Sequence, residues 1–258
     1  MNRVARIFLF LFVPTLALFL SPVPQAAFGE DPQAAEAPAV AAWVNRLRLQ
    51  RGLSQLATDP LLERTAASYA VDLAGRGVLS HVDEQGRRAL QRFRAHGGTT
   101  VLVGEILGSA ATLGPVAAAW EASAEHLEVV LNPLWTHCGA ATAQRAGSNA
   151  VWVVLFTPHR IDPLEISRCP EGYLVRGRLA EPLAVEPILL SGIEMVEPLH
   201  WDSRGREFTY LISPDRGQIY HRLGYRSRNG GVVVANTFYP LEAVTPEPLT
   251  SCREREHR

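Results

Sequence analysis

Apolar positions recur at helical spacing through the first half of the chain and give way to short apolar runs between turns in the second half. Trp43, Val44 and Leu47 predict one helix, which Gly52 ends. Thr58-Asp59-Pro60 predicts a second start, because a capping side chain precedes a proline whose missing N–H is harmless in the first turn. Leu62, Ala66, Tyr69, Ala70 and Leu73 form its apolar face, closed by Gly75 and Gly77. Leu90 and Phe93 predict a short third helix ending at Gly97-Gly98. Thr99 to Ile106 is β-branched and apolar, so an extended segment is expected there. Gly114-Pro115 opens a further helix over Val116 to about Ser123, with Trp120 inward. Trp135 to Thr142 and Val151 to Phe156 predict two strands joined by a turn at Gly147 to Asn149. Helices alternating with a few strands imply a layered helix–sheet–helix domain.

After Pro158 the period changes. Tyr173 to Leu179, Phe208 to Ile212, Ile219 to Tyr225 and Val232 to Phe238 read as strands. Turn clusters at Asp202–Gly205, Pro214–Gly217 and Asn229–Gly231 separate them, which argues a small β-sandwich or barrel. The fold class expected is therefore α+β, and no internal repeat is visible.

The N-terminus changes the picture of where the chain works. Arg3 and Arg6 precede an apolar run, Ile7 to Leu20, and small residues follow at Ala26 and Ala27. That pattern predicts a cleaved secretory signal, since the run is shorter than the roughly twenty residues a membrane span needs. Export to the periplasm or the extracellular space is expected, with no transmembrane span in the mature chain. The expected organisation is a signal peptide over 1–27, a Pro/Ala/Glu-rich link over 28–38, the helix–strand domain over 39–158, a linker over 159–170 and the β domain over 171–258.

Charge narrows the partners. The formal net charge is −1, all 25 basic residues other than histidine are arginines, and they are interspersed with acids. Nucleic-acid binding needs clustered cations, so it is not expected. The 3 cysteines are Cys138, Cys169 and Cys252. In an oxidising compartment a Cys169–Cys252 bridge would close a loop of roughly eighty residues and contribute about 4 kcal/mol, although an odd count leaves other pairings open. Cys138 sits in an apolar run and reads as a small buried hydrophobe.

Three residues stand out chemically. His81 lies in a polar loop, Ser80-His81-Val82-Asp83, where it could act on a ligand or simply cap a helix. Glu105 lies inside an apolar strand after Gly104, so it must either face water or find a partner. His126 lies six residues beyond Trp120, near the end of that helix or in the turn after it. Two imidazoles and a carboxylate can hold a metal weakly or form a hydrogen-bonded polar cluster, and the residues alone leave both open. No HExxH, CxxC, GxSxG or glycine-rich phosphate loop occurs.

The order of these pieces resembles the CAP superfamily, the cysteine-rich secretory protein, antigen 5 and pathogenesis-related 1 group, in its short bacterial form. The resemblance spans roughly Ala39 to Phe156. It is carried by Val44-Asn45-Arg46, Leu56-x-x-Asp59-Pro60-x-Leu62, Ser80-His81, Gly104-Glu105-Ile106, Trp120-x-x-Ser123-x-x-His126, Leu131-Asn132-Pro133 and Thr136-His137-Cys138-Gly139. It implies an α-β-α sandwich, here followed by the small β domain, with a groove floored by a His/Glu/Glu/His tetrad. His81, Glu105 and His126 match three members of that tetrad. The second Glu is replaced by Ser123, and the usual Asn after the first Glu by Ile106.

The resemblance then implies an exported binding module rather than an enzyme. Its ligand would be lipid, sterol-like or a cell-wall glycan, held at His81, Glu105, Ser123 and His126. No cofactor is required; a weakly bound divalent metal such as zinc would use His81 and His126. A Ser123–His126 hydrogen bond is expected, since residues three apart on a helix can touch. The alternatives are a secreted metal-assisted hydrolase of peptidase type, with the same three residues as its catalytic candidates, and a structural envelope protein.

Overall fold

The computed structural model describes residues 32–145, 147, 149–180, 185–213, 220–227 and 229–238. The expected signal peptide, Cys252 and with it the Cys169–Cys252 bridge lie outside these residues. Among the described residues no helix is long and apolar enough to cross a membrane.

Helix α1 (Pro32–Gln50) begins within the segment expected to be a link, because a proline at its first position suits a helix start and the alanines that follow have strong helix propensity, despite Pro38 within it. After β1 (Ala57–Thr58), α2 (Pro60–Arg76) starts at Asp59, whose Oδ1 accepts from the N–H groups of Leu61 and Leu62 at 2.6 and 3.2 Å. It ends at Gly77, in the left-handed region at φ 74°. Then come α3 (Ala89–Ala95), β2 (Gly104–Ala110), α4 (Leu113–Ala122), α5 (Ala124–Val130), β3 (His137–Ala143) and β4 (Ala150–Thr157).

The first sheet has the order β1-β3-β4-β2, with β2 at one edge. Every residue of β4 is buried, and alternation sends its side chains into two separate cores. Trp152, Val154 and Phe156 pack with Trp43, Val44, Leu47 and Trp120; Val151, Val153 and Leu155 pack with Leu62, Tyr69, Leu73 and Phe93. Helices thus cover both faces, giving an α-β-α sandwich. At Gly139 a Cβ would stand 2.5 Å from the backbone N of Glu63, so only glycine allows α2 this close to β3. Buried Arg48 ties α1 to the chain beyond α5 by donating to the carbonyls of Ser54, Val130 and Asn132 at 2.8–2.9 Å.

Two further four-stranded sheets form the second half, ordered β5-β6-β10-β9 and β12-β11-β7-β8. Their strands are β5 (Ile161–Cys169), β6 (Gly172–Leu179), β7 (Pro187–Ser191), β8 (Glu194–Val196), β9 (His200–Asp202), β10 (Glu207–Ile212), β11 (His221–Arg226) and β12 (Val232–Phe238). Val175, Leu179, Leu189, Phe208, Ile212 and Leu223 close one core between them, as in a sandwich. The stretch 159–170, expected as a linker, contains β5. Its solvent-facing polar side chains mask a strand whose backbone pairs with β6 at Ile161 and again from Leu164 to Cys169, with an irregularity between. The described residues form one compact unit.

The two halves are stitched beside β2. Thr237 donates to the carbonyl of Thr99 at 2.6 Å, Val101 to that of Ala235 at 3.3 Å, and Asn236 Nδ2 to Thr99 Oγ1 at 2.8 Å. The β-branched run from Thr99 therefore does not extend β2, which begins only at Gly104: its backbone is recruited by β12.

Candidate functional site

His81 is presented by a loop that its own polar groups make rigid. Asp83 Oδ1 accepts from the N–H of Gln85 at 3.0 Å and of Arg87 at 2.8 Å, while Oδ2 accepts from Arg87 Nε at 2.8 Å. Burial works against the Asp83 charge, yet these donors hold its carboxyl below the usual range. Tyr69 on α2 anchors the loop by donating its hydroxyl to the carbonyl of Ser80. His81 itself stays open, its side chain 55% exposed.

Glu105 faces the α2–α3 side of β2, and its side chain is only 5% exposed. Oε1 lies 2.8 Å from His81 Nδ1, and Oε2 accepts from Arg92. A carboxylate can only accept, so Nδ1 of His81 carries the proton and Nε2 is left as the free acceptor. Arg92, on α3, is equally buried; it lies 3.4 Å from the centre of the Tyr69 ring and donates to the carbonyls of Arg87 at 2.7 Å and His81 at 3.3 Å. Burying one charge is costly without a partner, and here each charge compensates the other. Sequence reasoning missed Arg92. The signal available was its place one residue before inward-facing Phe93 on a very short helix.

His126 lies in neither of the expected places. Helix α4 stops at Ala122 and a new helix starts, so His126 is in the first turn of α5. Ser123 is the N-cap between the two, its Oγ accepting from the backbone N–H of His126 at 3.3 Å. The expected Ser123–His126 bond thus joins hydroxyl to backbone, not to imidazole. Helix α5 packs on β2 at Gly104, where an added Cβ would lie 2.7 Å from Trp135 and 3.2 Å from Val129. His126 is one turn before Val129 and so stands on the helix that packs against this end of β2. Burial lowers its pKa, and the nearby His81 lowers it further, against a smaller opposing effect of Glu125. Its Nδ1 is buried with no hydrogen-bond partner among the described residues.

A metal does not fit this set. Both Glu105 oxygens are engaged, and among the described residues no three His, Cys, Asp or Glu side chains could together hold an ion. Cys138 is a free, buried thiol pushed up to about 12, first by burial and then by Glu63, which removes it as a nucleophile.

A second polar cluster lies where β4 leads into β5. His159 Nε2 lies 2.6 Å from Asp59 Oδ2, and its ring meets that of His137 edge-on at 4.3 Å. Thr136 Oγ1 lies 2.9 Å from His137 Nδ1 and accepts from the His159 N–H at 2.7 Å. The helix-capping aspartate thereby also fastens the start of the second half.

Comparisons with known proteins match the first half of the chain. Residues 42–156 match the Cysteine-rich secretory protein family, CAP. An uncharacterized protein of Borreliella burgdorferi is 29% identical over 113 residues, which are 44% of this chain and 72% of its own length. An outer surface protein of Borrelia burgdorferi superposes with a TM-score of 0.44 at 28% identity, over 46% of this chain and 89% of its own. An extracellular protein of Bacillus anthracis containing an SCP domain gives 0.45 at 19% identity, over 49% and 41%. Residues 42–156 belong to the CAP superfamily, as a domain of the cysteine-rich secretory protein family.

Proposed function

We propose that this chain is an exported, non-catalytic binding module whose CAP domain holds a lipid or cell-wall glycan over the surface formed by His81, Glu105 and His126. The observation that carries this reading is the state of Glu105. With one oxygen on Arg92, the other on His81, and its side chain 5% exposed, it is committed to protein partners and is poorly placed to serve as a free general base. Hydrolysis by this carboxylate, with or without zinc, is correspondingly disfavoured. What remains is a half-open imidazole on a rigid loop, which exposed Val78 and Leu79 precede in the chain. An apolar approach with a few fixed polar groups suits recognition. Export is supported by the basic and apolar pattern of residues 1–27.

Binding of lipids and of cell-wall fragments to the full chain and to a His126→Ala variant tests the proposal. Affinity should fall about tenfold or more on losing a polar contact in the site. Unchanged binding would remove the assigned surface, and turnover of a peptide or ester that disappears in Glu105→Gln would replace binding with catalysis.

A further inference from the structure

Helices α2 and α3 and the turn from Asp83 to Arg87 leave a cavity of about 240 Å³ between them. Buried Tyr69 and Arg92 line it from within, and exposed Ser68, Gln85, Ala95 and His96 surround its opening. The charges in its wall are matched inside the protein. Asp83 accepts from Arg87 Nε and from two backbone N–H groups, and Arg92 is held by Glu105 and by the carbonyls of His81 and Arg87. Asp72 faces Arg76 at 2.9 Å. An anion in the cavity would meet Asp72 and Asp83, and a cation would meet Arg87 and Arg92, in neither case with an unmatched opposite charge to hold it.

Hydrogen-bonding capacity is what the wall has left over. The Gln85 carbonyl is engaged by Arg87 at 3.2 Å, which leaves the amide nitrogen with donors to give. The Ser68 hydroxyl can donate or accept, and Asp72, its side chain 37% exposed, can accept. A hydroxyl group does both, so a neutral ring carrying several hydroxyls matches this mixture. Volume sets its size: the cavity exceeds the ~30 Å³ share of one water several times over and is smaller than the ~300 Å³ at which sites for drug-sized ligands begin. We propose that this cavity binds one neutral sugar ring. The inference goes beyond the reading above, because none of His81, Glu105 and His126 lines the cavity. The helices and the Asp83 hydrogen bonds already fix its walls, so binding costs little ordering entropy.

The test is a titration of the full chain with glucose and with N-acetylglucosamine, followed through backbone amide resonances. Glucosamine and glucose 6-phosphate serve as the cationic and anionic counterparts. A neutral sugar should move the amides of Ser68, Gln85 and His96 saturably, and both charged counterparts should bind more weakly. Ser68→Trp and Ala95→Leu, at exposed positions beside the opening, should each weaken the sugar about tenfold or more while leaving Tm unchanged. The inference is overturned if neither neutral sugar gives a saturable shift, if a charged counterpart binds more tightly, or if Ser68→Trp binds normally. His126→Ala should leave the sugar shifts intact; their loss in that variant would assign the sugar to the His81, Glu105 and His126 surface and overturn this site. Intact sugar shifts, together with lipid and cell-wall binding that His126→Ala does not change, would remove the earlier reading and keep this one.

Discussion

Arg92 is the residue on which the site most depends. It supplies the charge that lets Glu105 lie under His81 with 5% of its side chain exposed. Truncating it in Arg92→Leu leaves a buried carboxylate without its cation, which should cost about 3–5 kcal/mol in urea unfolding. Combining it with Glu105→Leu should recover much of that loss, because no unpaired charge is then left behind. Cys138 makes a different prediction. Buried, and pushed up to about 12, it should resist alkylation in the native protein. In denaturant without reductant a single thiol should react if Cys169 and Cys252 are paired, and three if they are not.

At the scale of elements, the break between α4 and α5 decides where His126 stands. Ser123 caps α5, so Ser123→Ala should destabilise the protein by about 1 kcal/mol, while Ser123→Asp keeps a cap. Gly104 sets the distance between α5 and β2. Gly104→Ala would drive a methyl into Trp135 and Val129, at an expected cost of about 1–3 kcal/mol in thermal unfolding. Ring resonances of His126 should shift with it, since the helix that carries the imidazole must move. The sequence foretold the start of α2 and the inward face of α4, because a cap, a proline and an apolar period are local signals. It did not reveal the second helix start at Ser123. There the capping serine read as the last residue of the preceding helix.

For the molecule as a whole, the join between the α-β-α sandwich and the second half is a titrating device. Burial lowers the pKa of His137, as does the positive charge of His159. The unfolded chain then binds more protons than the folded one, so stability should decline as pH falls below the ordinary imidazole value of about 6.5 and through the lowered native one. His137→Gln should flatten that limb of the stability–pH curve measured by denaturation. Asp59 acts lower in the scale. Burial opposes its charge, but His159 and the amides at the start of α2 hold its pKa down, so its contribution is lost only in stronger acid.

The linear chain specified the helices other than α5, most strands, the buried Cys138 and the three side chains worth watching, since spacing, caps and branching act between near neighbours. Folding chose the company those side chains keep. Arg92 reaches Glu105, His159 reaches Asp59, and β12 takes the backbone of Thr99 away from β2. Each of these is a pairing of buried charge or backbone across a distance that no local pattern records.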